Sequence, residues 1–74
     1  MHEMQRKVGI VLRDIRRARG LTEEVLSGLA GVSRSHLALI ESGAGNPTID
    51  TLARLADALS TPLSEVIQRA ESQL

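Results

Sequence analysis

The stretch that decides the fold is residues 23–42, EEVLSGLAGVSRSHLALIES. Apolar residues recur at helical spacing on both sides of Gly31, a residue type that favours a tight turn. Two helices that cross near a right angle need a small residue where they cross, and Ser27 stands there in the first helix. The positions that such a pair turns inward are all apolar: Leu26, Ala30, Val32, Leu37 and Ile40. The stretch therefore predicts a helix-turn-helix.

Capping residues and apolar periodicity predict three further helices around this pair. The first runs from about Glu3 to Arg19 and is stopped by Gly20. The fourth begins after Thr48, and the fifth opens at Thr61-Pro62 with the proline at the first helical position. The predicted limits of the central pair are Thr22 and Gly31 for the second helix, and Ser33 and Ser42 for the third.

The apolar face of the fourth helix is the most regular in the chain. It consists of Ile49, Leu52, Leu55, Ala56 and Leu59. Together with the other apolar stripes it is enough to enclose one aliphatic core, and a chain of this length has room for little more. We therefore expect an all-α fold, a compact five-helix bundle that forms a single domain over residues 1–74.

The residue types missing from the sequence exclude several kinds of protein. There is no cysteine, which excludes disulfide scaffolds and thiolate metal sites and favours the reducing cytoplasm. There is no Phe, Tyr or Trp, which disfavours single-strand binding by base stacking. Neither His2 nor His36 has partners at metal-ligand spacing. Since no apolar run is long enough to span a membrane and no nucleophile–base pair is visible, we expect a cytoplasmic protein that is not an enzyme and binds no cofactor or metal.

Charge is distributed unevenly along the chain, although the formal net charge is zero. Residues 1–20 carry six basic and two acidic residues, whereas residues 21–74 carry three basic and seven acidic ones. A basic segment attracts nucleic acid, but arginines near the end of a helix also interact favourably with the helix dipole. The arginine cluster is therefore equally compatible with steering toward DNA and with an ordinary solvated helix face.

Three segments of the sequence resemble the phage-repressor-like helix-turn-helix family, often called XRE-like or Cro-repressor type. They are VGIVLRDIRRARGLT, LAGVSRSHLALIESG and NPTIDTLARLADALSTPLSEV, and the similarity extends without gaps over roughly residues 8–67. The resemblance implies a lambda-repressor-like bundle whose third helix enters the major groove of double-stranded DNA. It also implies a transcriptional regulator, a repressor or autoregulator, that binds a palindromic operator as a homodimer.

The same resemblance implies roles for individual side chains. Base-reading residues would be Ser33, Arg34, Ser35, Ala38 and Leu39, with Arg34 foremost because arginine donates two hydrogen bonds to guanine. Phosphate contacts would come from Thr22, Glu23, His36, Ser42, Gly43, Asn46 and Thr48. Arg16 and Glu41 would form a buried pair that locks the first helix onto the third. The alternative for this pair is two unrelated solvated charges.

Departures from the family pattern predict weak DNA binding by a single copy. Glu23 stands where a glutamine is common and would repel a phosphate. The loop after the third helix, which is often basic, has the uncharged residues Ala44 and Gly45. Leu39 occupies the place of a polar base reader. Each lost phosphate contact lowers the affinity and flattens its dependence on salt.

Apolar residues outside the core stripes indicate an interface. They are Ile10, Val11, Val25, Leu29 and Leu39. The alternative function is therefore a protein-interaction module, antitoxin-like or anti-regulator-like, that binds a protein partner through the Val25–Leu29–Leu39 surface and binds DNA weakly. The dimer interface is predicted on the fifth helix, where Ile67, Ala70 and Leu74 remain once Leu63 and Val66 have filled the core.

Overall fold

Five helices make up the fold of the described residues, 2–73, in the computed structural model. They are α1 (His2–Ala18), α2 (Glu23–Ala30), α3 (Arg34–Ser42), α4 (Ile49–Ala58) and α5 (Leu63–Ser72). No strand occurs in that range, so the all-α prediction is confirmed. The helix ends lie within one or two residues of the predicted ones, which is the usual uncertainty of a helix end.

The predicted hydroxyl caps are present at the starts of α2, α3 and α4. The side-chain oxygens of Thr22, Ser33 and Thr48 each accept a hydrogen bond of 3.1 Å from the backbone N–H three residues further on. Each cap satisfies one of the N–H groups that a helix start leaves without an intrahelical acceptor. At the start of α5 the prediction was wrong by one position. Pro62 has an extended backbone and precedes the helix, whose first residue is Leu63.

The aliphatic core lies between all five helices. Two residues differ in burial from what the sequence predicted. Val11 is buried, not surplus, because α1 packs against both α3 and α5 and so needs a wider apolar face than one stripe. Ile49 was assigned to the core face of α4, yet its side chain is 72% exposed. The reason is geometric: helical side chains tilt toward the N-terminus, so the first residue of α4 projects beyond the helix end.

α1 and α3 touch through their backbones at Gly9, which the sequence analysis did not single out. A Cβ atom placed on Gly9 would overlap the carbonyl oxygen of Ile40 and lie 3.1 Å from that of Glu41. Only a residue without a side chain lets the two helices approach this closely. Gly9 therefore sets the distance of α3 from the rest of the bundle.

Within residues 2–73, none of the helices is long and apolar enough to cross a membrane. The same residues contain no group of three or more His, Asp or Glu side chains placed to hold a metal ion.

Candidate nucleic-acid interface

One face of α3 is buried and the opposite face is open. Leu37, Ile40 and Glu41 point into the protein. The five predicted base-reading positions, Ser33, Arg34, Ser35, Ala38 and Leu39, are all exposed. The Ser33 oxygen accepts the capping hydrogen bond from the N–H of His36, which leaves its O–H free to donate. The structure therefore places all five positions on the surface of α3 and its capping residue.

Arg16 and Glu41 join α1 to α3, as the resemblance implied. Arg16 Nε donates to Glu41 Oε2 at 2.7 Å and Nη2 donates to Oε1 at 2.9 Å. Its third nitrogen, Nη1, donates to the carbonyl oxygen of Leu21 at 2.8 Å. The two side chains are only 9% and 4% exposed, so this is a buried two-pronged pair and not two solvated charges. It fixes both the position and the rotation of α3.

Electrostatics around this pair favour the charged arginine. The hydrogen bonds to Glu41 raise the pKa of Arg16 above its ordinary value, and burial opposes them. The negative charges of Glu41 and Glu23 raise the pKa further. Glu23 lines the same groove as Arg16 and Glu41 and forms no hydrogen bond with Arg16.

A polar groove of about 630 Å³ lies between α1, α2 and α3. Its lining includes two predicted base-reading residues, Arg34 and Ala38. It also includes three predicted phosphate-contacting residues, Thr22, Glu23 and Ser42. It also contains Arg13 and Arg17 from α1, which the sequence analysis treated only as members of a basic cluster. Their spacing of four residues was the available signal, because residues four apart in a helix share a face.

The remaining predicted phosphate positions lie outside this groove. Gly43 and Asn46 line a different, apolar hollow, and Asn46 Oδ1 accepts a hydrogen bond from Gln5 Nε2 at 2.7 Å. His36 is half-buried and Thr48 is exposed at the start of α4. Ser42, in contrast, lies in the polar groove, but its hydroxyl donates a hydrogen bond to the carbonyl oxygen of Leu39 at 2.8 Å.

An apolar hollow lies beside the α3–α4 loop and includes part of the predicted dimer interface. Its volume is about 710 Å³ and its apolar lining includes Met4, Val8, Ile49, Leu52 and Ile67. Of the residues predicted for the interface, Ile67 lines this hollow and is partly exposed. Ala70 was predicted wrongly, because the core of the same chain buries it completely. Leu74 lies outside the described residues.

Comparisons of this sequence with known proteins agree on one family. A sequence model of the helix-turn-helix family HTH_3 matches residues 12–66. An uncharacterized HTH-type transcriptional regulator, y4dJ, from Sinorhizobium fredii is 37% identical over 65 residues, which cover 88% of this chain and 84% of that protein. The immunity repressor of Bacillus phage phi105 is 40% identical over 60 residues, 81% of this chain but only 42% of the repressor.

A solved structure shows the same fold. The restriction-modification controller protein C.AhdI from Aeromonas hydrophila superposes with a TM-score of 0.82 at 35% sequence identity. The superposition covers 84% of this chain and 94% of the controller protein.

Proposed function

The chain belongs to the helix-turn-helix family HTH_3, and from this premise we propose that it binds a palindromic double-stranded DNA operator as a homodimer in the cytoplasm. Within that family it is a DNA-binding transcriptional regulator. Each protomer inserts α3 into the major groove, and the two helices lie one helical turn apart, about 34 Å. Regulation follows from occupancy of the operator.

The observation that carries this proposal is the division of α3 into a locked face and an open face. The buried side holds the helix through Leu37, Ile40 and the pair of Glu41 with Arg16. The open side presents two serines and one arginine, which suit hydrogen bonding to base edges in a groove, beside the apolar Ala38 and Leu39, which can contact thymine methyl groups. A rigidly held helix loses little conformational freedom on binding, so its contacts with DNA lose little of their free energy to ordering.

Selection of bound duplexes from a random pool tests the proposal. We expect an enriched palindrome whose half-sites are centred about 10 base pairs apart. The reference arm is the same selection at high salt, where the sequence-independent part of the affinity is suppressed. Recovery of unenriched duplexes at every salt concentration would contradict the assignment.

Arg34→Ala should weaken binding to the preferred site by about 1–3 kcal/mol, because a two-pronged contact with a guanine is lost. The side chain is exposed and forms no ion pair within residues 2–73, so the melting temperature should stay unchanged. Dissociation constants on the selected site and on a scrambled duplex check this. Equal losses on both duplexes would make Arg34 a phosphate contact and not a base reader.

Ile49→Glu should disrupt the homodimer if the apolar hollow is its interface. Burying an exposed isoleucine contributes about 1.5–3 kcal/mol, so the dimer dissociation constant should rise at least about tenfold. Sedimentation without DNA measures it. Leu29→Glu is the matched control, since Leu29 is a comparably exposed apolar residue on α2. Dissociation by the Leu29 variant alone would move the interface to α2.

A second candidate function is binding of a protein partner through the Val25–Leu29–Leu39 surface. Val25, Leu29 and Leu39 are 47%, 63% and 50% exposed, and Val25 and Leu29 stand four residues apart on α2, so they share a face, as neighbouring apolar residues at an interface do. Fluorescence anisotropy with mixed duplex DNA at low salt separates the two functions. Saturable binding supports the regulator, and its absence supports the protein-interaction module.

A further inference from the structure

Two arginines of α1 point into the groove that also contains the proposed base reader. Arg13 and Arg17 stand four residues apart on α1, and both line the groove together with Arg34 and Thr22. Three elements therefore contribute to one concave surface: the face of α1, the first turn of α2 and the exposed face of α3. In the sequence these residues are spread over 22 positions, from Arg13 to Arg34, and only the fold brings them together.

Four arginines and three carboxylates line this surface, and the arginines differ in how far they are paired. Arg16, the fourth arginine of the groove, is paired with Glu41. Arg17 and Arg34 form no ion pair within residues 2–73. Arg13 forms a long ion pair with the exposed Asp14, whose Oδ1 lies 3.9 Å from Arg13 Nε, too far for a hydrogen bond.

Arg13 Nε is buried and has no acceptor among the described residues, 2–73. A buried donor without a partner is unfavourable, and two like charges four residues apart on a helix repel each other. An anion cannot reach the buried Nε, but one held between the exposed parts of the two guanidinium groups would relieve their repulsion. The groove thus has the chemistry of an anion site that the protein itself does not fill.

We propose that Arg13 and Arg17, which line one groove with Arg34 and the start of α2, bind a backbone phosphate of the DNA that α3 reads. This inference rests on the proposed function and adds two contacts to it. Arginine suits the task because its planar group donates two parallel hydrogen bonds to phosphate oxygens. These contacts compensate for the uncharged loop after α3.

The ligand is a phosphate of duplex DNA and not a free anion, because of what else lines the groove. Glu23 and Glu24 share its lining and oppose the binding of any isolated anion. A DNA phosphate is delivered to the groove by the rest of the interface, since α3 positions the duplex beside Arg34. The groove needs little affinity of its own for phosphate, because the binding of α3 to the duplex raises the effective concentration of phosphate beside the groove.

Arg19, the residue after the end of α1, provides the matched control. Arg17 and Arg19 are both exposed arginines near the end of α1, so their removal changes the net charge equally. Arg19, however, lines a separate hollow with Asp14, Glu65 and Arg69. Substitution of either arginine by alanine therefore separates a local phosphate contact from a general effect of charge.

Dissociation constants of wild type, Arg13→Ala, Arg17→Ala and Arg19→Ala on the selected duplex should be measured at salt concentrations from about 50 to 200 mM. We expect the logarithmic salt slope to fall for Arg17→Ala and for Arg13→Ala by up to about 0.9, the amount that corresponds to the one phosphate that they share. The affinity of both variants should fall by the same factor on specific and scrambled duplexes. Arg19→Ala should retain the wild-type slope.

The result that overturns the inference is a slope for Arg17→Ala and Arg13→Ala equal to that of Arg19→Ala, with wild-type protein still binding its operator. Failure of the proposed function looks different, since wild type itself would then show no saturable binding. Glu23→Gln provides a further check. It removes a carboxylate from the groove and should tighten binding most at low salt, where screening is weakest. Unchanged affinity of this variant at every salt concentration would place the phosphate elsewhere.

Discussion

Glu41→Ala should lower the free energy of unfolding by about 3–5 kcal/mol, because it leaves the guanidinium of Arg16 buried without its partner. Both of the hydrogen bonds to Glu41 disappear, and only the one to the carbonyl oxygen of Leu21 remains. A domain of this size has a total stability of about 4–11 kcal/mol, so the loss is a large fraction of the whole. Chemical denaturation followed by circular dichroism measures it.

Glu65→Ala is the control, since it breaks an exposed pair with Arg69 whose side chains are 44% and 53% exposed. Such pairs contribute about 0–1 kcal/mol. If Glu41→Ala does not fold, Glu41→Gln, which keeps the shape and one acceptor oxygen, gives an intermediate loss. A stability of either Glu41 variant equal to that of wild type would mean that the pair does not hold α3.

Gly9→Ala should also destabilise the protein strongly, by about 1–3 kcal/mol or more. The added methyl group overlaps the carbonyl oxygen of Ile40, a backbone atom that moves only if all of α3 moves. The higher helix propensity of alanine offsets at most about 1 kcal/mol of this. Thermal and chemical denaturation measure the change in stability. Because α3 is displaced, operator binding should weaken as well.

Gly28→Ala tests the same chemical change where no clash is expected. Gly28 also lies within a helix, but nothing lies within 4 Å of a Cβ atom built on it. This variant should be as stable as wild type or more stable, by up to about 1 kcal/mol. If Gly9→Ala gained stability in the same way, the backbone contact between α1 and α3 would not constrain the fold.

The helices and their ends could be predicted from the sequence because their causes are local. A hydroxyl at a helix start binds an N–H three residues away, as Thr22, Ser33 and Thr48 do. Gly31 and Gly43 end α2 and α3 in the left-handed conformation that glycine adopts without steric cost. Each of these interactions lies within one turn of chain, so the sequence contains all the atoms involved.

The open face of α3 could also be predicted. Helical periodicity places Leu37 and Ile40 on the buried face, so the residues between them lie on the exposed face. The partner of Arg16 could not be found in this way. It is 25 residues distant in the chain, and only the family resemblance connected it to Glu41.

Packing between helices decided the features that could not be predicted from the sequence. The burial of Val11 and Ala70 depends on which neighbours cover them, and the exposure of Ile49 depends on where α4 begins. The contact at Gly9 and the convergence of Arg13, Arg17 and Arg34 arise only when α1, α2 and α3 are assembled. Sequence by itself determined the helices, their caps and the family, because those follow from short-range bonding and a linear pattern. The apolar hollow and the polar groove were decided by tertiary structure, because distances between helices are set by the volumes that pack between them.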